Sequence, residues 1–179
     1  MSASEQIIGI PLPRATGYRL AAGRGKFTDD LSLPRMTHIA FVRSPYAHAL
    51  IKSIDTVKAE KAEGVVRVIT GADIAKVCAP FIAKIDFLPN MVSPPQHAIA
   101  LQETAWQGEA VCGIIAETRA LAEEAAELVV IDWEELPAVV DPFEALNDKK
   151  ALVHSALDSN LALEMPIEEG NIENLDSEL

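Results

Sequence analysis

Four kinds of residue in this chain have side chains or backbones that can do chemistry, and their spacing decides how far each reading goes. His38 and His48 could bind a metal or take a proton. Ten residues apart, with no acidic or cysteine ligand flanking them at useful spacing, they fall short of a metal site. Each equally fits a strand residue facing solvent or a partner. Cys78 and Cys112 are too few for a disulfide framework or a structural zinc site. Cys112 lies inside an apolar run, where a free thiol behaves as a small hydrophobe, and a nucleophilic Cys78 would need a histidine that its local sequence does not supply. Gly17, Gly23 and Gly25 lie in RATGYRLAAGRGKFTDD. A phosphate-cradling loop wants a strand before it and a helix start after it, whereas Lys26 to Asp30 reads as a strand entering an acidic turn. The glycines are therefore read as permitting turns with positive φ. Glu134 and Glu135 are adjacent carboxylates of the kind found on a solvated edge. No catalytic constellation emerges from these residues.

The elements that position them are organised around AVCGIIAETRALAEEAAELVVIDWEELPAVV, Ala110 to Val140. Ala110 to Ala116 is short, apolar and branched, as a buried strand is. Thr118 stands at a helix N-cap, and Leu121, Ala122, Ala125, Leu128 and Val129 recur at helical spacing, with Glu123, Glu124 and Glu127 toward the other face. Val129 to Trp133 is a second strand, and Pro137 ends the segment after it. Strand, helix and strand of this length make a βαβ unit, provided that the two strands are parallel and share one sheet.

Upstream, MTHIAFVRSPYAHALIKSID predicts two strands with a break at Ser44-Pro45. Asp55 caps a short helix through Glu60 that stops at Gly64, Val65 to Ile69 is a strand, and a turn or brief helix starts at Thr70. Residues 78–105 carry prolines 80, 89, 94 and 95 and no sustained period. A loop of this length serves function or docks on a partner, and Phe81, Ile85, Phe87, Leu88 and Met91 are its apolar contacts, with packing on its own sheet as the equal alternative. Asp141-Pro142 caps a last helix to Leu146. The organisation read from this is an N-terminal lead at 1–13, a domain at 14–160 and an acidic tail at 161–179.

Composition bounds the class. A chain of 179 residues with 49% hydrophobic residues buries an ordinary core and forms one mixed α/β domain with a tail. Aspartate and glutamate outnumber lysine and arginine 27 to 15, for a formal charge of -12, which argues against nucleic acid as a partner. No run spans a bilayer, and MSASEQIIGI lacks the basic and apolar segments of a secretory signal, so the expected location is cytoplasmic, with no membrane partner, the alternative being export with a partner that carries the signal.

Three ordered blocks, GRGKFTDDLSLPRMTHIAFVRSPYAHALIKSIDT, GVVRVITGADI and WQGEAVCGIIAETRALAEEAAELVVIDWEELPAVVDPFEAL, carry a resemblance. Together they are similar to the N-terminal a/b hammerhead domain of the molybdenum-binding subunit in the xanthine dehydrogenase and aldehyde oxidase family. The resemblance covers roughly Ile8 to Asn160. It implies hydroxylation at a carbon, with water as oxygen source, on molybdenum held by molybdopterin; electrons leave through iron-sulfur clusters and usually a flavin, FAD. Family large subunits continue, after the counterpart of EEGNIE, into domains that hold the cofactor and supply the base glutamate. The chain is thus expected to bind no cofactor alone and to pack against a molybdopterin-binding chain or domains, an iron-sulfur subunit and a flavin subunit. It is either one piece of a subunit encoded in parts or an excised domain. Gly108-Glu109-Ala110 keeps the family's turn before the central strand without its proline, which reads as structural drift. Asp86 to Met91 corresponds to a loop near the substrate channel in relatives, which makes Phe87 and Leu88 the candidate channel-lining residues. The alternative is a stand-alone binding or assembly module that kept the fold and has no enzyme activity.

Overall fold

The computed structural model describes residues 9, 11–88, 90–147 and 151–167. The chain divides into two compact units, Met1–Met36 and Thr37–Leu179. The division falls inside the 14–160 span drawn from the sequence.

In the first unit, α1 is a five-residue turn of helix, Gly17–Ala21, that runs out into Gly23 at φ +68°. The strand expected over Lys26 to Asp30 is instead a 3-10 turn, Thr28–Asp30. Its cause is local: Asp30 reaches back to accept the amide of Phe27 at 2.9 Å, which closes the chain on itself where a strand would have to extend.

The second unit holds the sheets. β1 (His38–Arg43) and β2 (Ala49–Asp55) fall where the apolar runs predict, with the break at Ser44-Pro45 between them. α2 (Val57–Glu60) follows with Thr56 as its N-cap, while Asp55 holds the Val57 amide at 3.0 Å. The helix ends at Glu60, before Gly64, which at φ +71° makes the turn into β3 (Val65–Thr70). α3 (Gly71–Ile74) is capped by Asp73, which accepts both the amide and the hydroxyl of Thr70. Those bonds, the backbone one foremost, hold the Asp73 carboxyl below the usual carboxylate range.

The region from residue 78 to 105 is less irregular than its composition suggests. Phe81 and Gln96 exchange backbone hydrogen bonds at 2.8 Å in both directions, and Glu103–Thr104 forms β4. Prolines keep the rest from joining a sheet because they lack the amide that a ladder needs. β5 (Ala110–Ala116), α4 (Arg119–Ala126), β6 (Val130–Glu135) and α5 (Pro142–Asn147) complete the order. Thr118 caps α4 by accepting the Leu121 amide at 3.2 Å, and Asp141 caps α5 by accepting the amides of Phe143 and Glu144 at 2.7 and 3.0 Å.

Strand order is β1-β5-β3 in one sheet and β4-β2-β6 in the other, with every pairing antiparallel. The mixed α/β class holds, and so does the strand-helix-strand order at Ala110 to Val140. The condition for a parallel βαβ unit is not met. β1 and β3 already occupy both edges of β5, so α4 leads the chain into the second sheet instead of back to the first. The core lies where α4 packs on β5. Cys112, Ile114 and Ala125 are buried there among Val42, Val65, Val68 and Val129, and burying Ile114 and Val111 contributes roughly 1.5–3 kcal/mol each. Leu128, which the periodicity assigns to the apolar face, lies beyond the end of α4 and is 40% exposed. No helix among the described residues is long and apolar enough to cross a membrane. The last residues of the sequence-defined tail, 168–179, and most of the N-terminal lead lie outside the described residues.

Candidate functional site

Between β4 and β5 the chain makes a tight turn, Ala105 to Glu109, braced through Gly108 and Glu109. Gly108 takes φ +92°, a conformation that a residue with a Cβ adopts only under strain. Its amide donates to Ser44 O at 2.9 Å, and its carbonyl accepts Arg43 Nη1 at 2.8 Å. Ser44 in turn donates its amide to Glu109 O at 2.9 Å and receives the Thr104 hydroxyl on Oγ at 3.1 Å. The Glu109 side chain folds back under the turn and accepts the Ala105 amide at 2.7 Å. Burial pushes the Glu109 carboxyl above its ordinary value, although the amides of Ala105 and Trp106 oppose the rise.

This bracing displays Trp106 at the meeting point of three clefts. One, of about 390 Å³, is bordered by Arg43, Cys78, Phe81 and His97; the second, of about 300 Å³, by Pro94, Leu101, His154 and Ser155; the third, of about 170 Å³, by His48, Gln107 and Val139. Glu109 borders the first two and Trp106 all three. A rigid aromatic flanked by open grooves is suited to holding a flat apolar surface or a neighbouring chain.

Among the residues singled out in the sequence, His48 is buried, with Nδ1 3.0 Å from Pro137 O and Nε2 2.6 Å from Glu103 Oε1. His38 opens β1, partly exposed. Among the described residues, no group of three histidine, cysteine or acidic side chains could hold a metal ion. Cys112 is buried and its thiol is pushed up to about 11, first by burial and then by the charges of Asp73 and Glu60, as a packing role requires. Cys78 is exposed, shares the larger cleft with His97, and donates to its neighbour's carbonyl, Ala79 O, at 3.5 Å. Glu134 pairs with Lys52 at the surface, and Glu135 is exposed, in keeping with a solvated edge.

Phe87 is 79% exposed and Leu88 is half-buried, with its amide on Ile85 O at 2.9 Å; neither borders the three clefts. Exposed apolar side chains cluster along the same stretch of chain, at Val77, Phe81, Ile82, Ile85 and Val92. Sequence reasoning did not single out Trp106, Glu103 or Ser155, and took Glu109 only as part of a drifted turn. The available signal was a tryptophan and a glutamate flanking a glycine just before a buried strand.

Two small antiparallel sheets joined through a helix, with a braced turn ahead of the central strand, make a mixed α/β domain. Residues 22–137 match the family model for the aldehyde oxidase and xanthine dehydrogenase a/b hammerhead domain. The carbon monoxide dehydrogenase large chain of Afipia carboxidovorans is 36% identical over 83% of this chain and 18% of its own length. The nicotine 6-hydroxylase large subunit of Paenarthrobacter nicotinovorans is 38% identical over 80% of this chain and 17% of its own. The crystal structure of quinoline 2-oxidoreductase from Pseudomonas putida 86 superposes with a TM-score of 0.78 at 37% identity, covering 84% of this chain and 19% of that one. The chain belongs to the aldehyde oxidase and xanthine dehydrogenase family and carries its a/b hammerhead domain. It spans less than a fifth of the length of these relatives.

The buried thiol of Cys112 is held protonated, and the carboxylates of half-buried Glu103 and buried Glu109 are taken up by groups of the chain itself.

Proposed function

We propose that this chain is the non-catalytic structural and substrate-channel part of a molybdenum hydroxylase, an oxidoreductase that hydroxylates a heterocycle or aldehyde with water as oxygen source. The observation that carries the reading is the pairing of the hammerhead match, residues 22–137, with coverage of only 17–19% of the relatives' chains. Molybdopterin-molybdenum, iron-sulfur clusters and FAD belong, on this reading, to the rest of the complex. No step of the reaction runs through residues of this chain.

On this reading the hammerhead domain spans 14–160, between the lead at 1–13 and the tail at 161–179. The apolar stretch from Val77 to Val92 and the turn at Trp106 are the surfaces offered to the cofactor-bearing domains, because exposed apolar side chains in such number are unusual on a surface that stays in water. Phe87 and Leu88 line the channel by shape and exclude water; they do not touch a bond being broken.

Native purification with metal analysis tests this. Co-elution with molybdenum, iron and a much larger cofactor-binding polypeptide, or occurrence within such a polypeptide, is the expected result. A metal-free, colourless species of 19.3 kDa from the native source would give the stand-alone module instead.

A further inference from the structure

The segment after α5 is tied to the second sheet at one carboxylate oxygen. Glu103 Oε1 receives three donors: His48 Nε2 at 2.6 Å, the Ser155 hydroxyl at 2.8 Å and the Ser155 amide at 3.1 Å. On its other side the buried His48 ring places Nδ1 3.0 Å from Pro137 O, a carbonyl with nothing to donate. With an acceptor against each nitrogen, both bonds form only when the ring carries both protons. Residues 151–160 are otherwise braced mainly within themselves: Asn160 accepts the Val153 amide at 2.9 Å and donates to Ala151 O at 2.9 Å and to Ala145 O at 3.2 Å. They also form one rim, through His154, Ser155 and Ala156, of the 300 Å³ cleft that Trp106 and Glu109 border.

We propose that His48, Glu103 and Ser155 form a protonation-dependent clasp: the imidazolium holds Glu103 in place, Glu103 holds the strap around Ser155 over the cleft, and loss of the ring proton loosens the strap. Glu103 meets the ring as a carboxylate. Burial raises Glu103, but the bonds from His48 and Ser155 together outweigh it and hold the carboxyl below its usual range. The clasp is therefore closed while the ring carries both protons and opens when one is lost. Other charged groups near it are Glu135 opposite Ala49 and Glu134 opposite Leu50 on β6, with Lys52 on Glu134. Glu109, whose carboxyl feels Glu103, and His154 beside Ser155 complete the set. His154 is the rival proton carrier. The inference does not depend on the enzyme assignment above.

Amide hydrogen exchange on the intact chain, as purified with whatever accompanies it, reads the clasp through the peptide covering Val153 to Ala156. Corrected for intrinsic rates between about pH 5 and about pH 9, protection there should fall roughly tenfold as the ring titrates, the effect of losing one buried charged hydrogen bond. Protection in β5 should stay level. His48→Gln should abolish the step and leave the strap weakly protected throughout, while His154→Gln should keep it. Should His48→Gln also unsettle β5, the wild-type His48 ring resonances decide, since their midpoint must coincide with that of the strap. A flat profile in the wild type, a step that survives His48→Gln with β5 intact, or a midpoint that follows His154 would overturn the proposal.

Discussion

Gly71 and Ala100 meet backbone to backbone: a Cβ built on Gly71 would stand 2.1 Å from the carbonyl oxygen of Ala100 and 2.8 Å from its carbon. No side chain lies between them to give way. The start of α3 is thereby fitted against the segment that leads into β4, and only glycine permits the fit.

Gly71→Ala should destabilise the chain by about 2–3 kcal/mol, as overpacking against unyielding atoms does. The urea midpoint would fall accordingly. Gly17→Ala is the control, since its Cβ would meet only Arg14 Cβ at 3.6 Å, an ordinary contact, and its midpoint should hardly move.

Glu109 makes the stability of the braced turn depend on pH in a defined direction. Its carboxyl is raised in the folded chain, so its contribution is fully present below the ordinary carboxylate value and is lost as pH rises through the raised one. The difference between wild type and Glu109→Gln in stability against pH should therefore decline from acid toward neutral. Glu109→Ala leaves the amides of Ala105 and Trp106 without their acceptor and should cost about 1–3 kcal/mol, with a change in Trp106 fluorescence. An unchanged Trp106 spectrum in that variant would mean that the carboxylate does not hold the turn.

Thr118 is a helix cap of the ordinary kind, and its removal should carry the ordinary cost. Thr118→Ala should lose about 1 kcal/mol, while Thr118→Ser, which keeps the oxygen that accepts the Leu121 amide, should lose little. Chemical denaturation of the two variants side by side measures the difference.

The two thiols should react unequally. Cys78 is exposed, whereas Cys112 is buried with a thiol near 11, so an alkylating reagent at about pH 8 should modify Cys78 in the native chain and Cys112 only after unfolding. Mass spectrometry of the labelled chain before and after denaturant gives the count.

What could be read from the sequence was what neighbouring residues decide. Thr118 and Asp141 cap helices through bonds to residues two or three further on, and both helices start where these caps put them. The branched run at Ala110 is a buried strand for the same local reason. The partners of that strand were not legible, because β1 and β3 reach it across long stretches of chain and nothing in its own sequence says which edges are taken. The same distance hid the polar pairs. His48 was noticed, but Glu103 lies 55 residues on and Ser155 another 52 beyond it, so neither looked like a partner. The strand expected at Lys26 to Asp30 failed on the one local cue passed over, an aspartate three residues after Phe27 that could take its amide.

The order of the strands also sets when this domain can form during synthesis. Among the described residues, β1, β2 and β3 make no ladder with one another; β1 and β3 wait for β5, and β2 for β4 and β6. A nascent chain that has emerged as far as α3 holds three branched strands with no sheet to join. The first sheet cannot close before the ribosome has delivered β5, through Ala116, nor the second before β6, through Glu135. Folding is thus back-loaded and slow in kind, and the emerging half presents unpaired edges that a chaperone would have to shield.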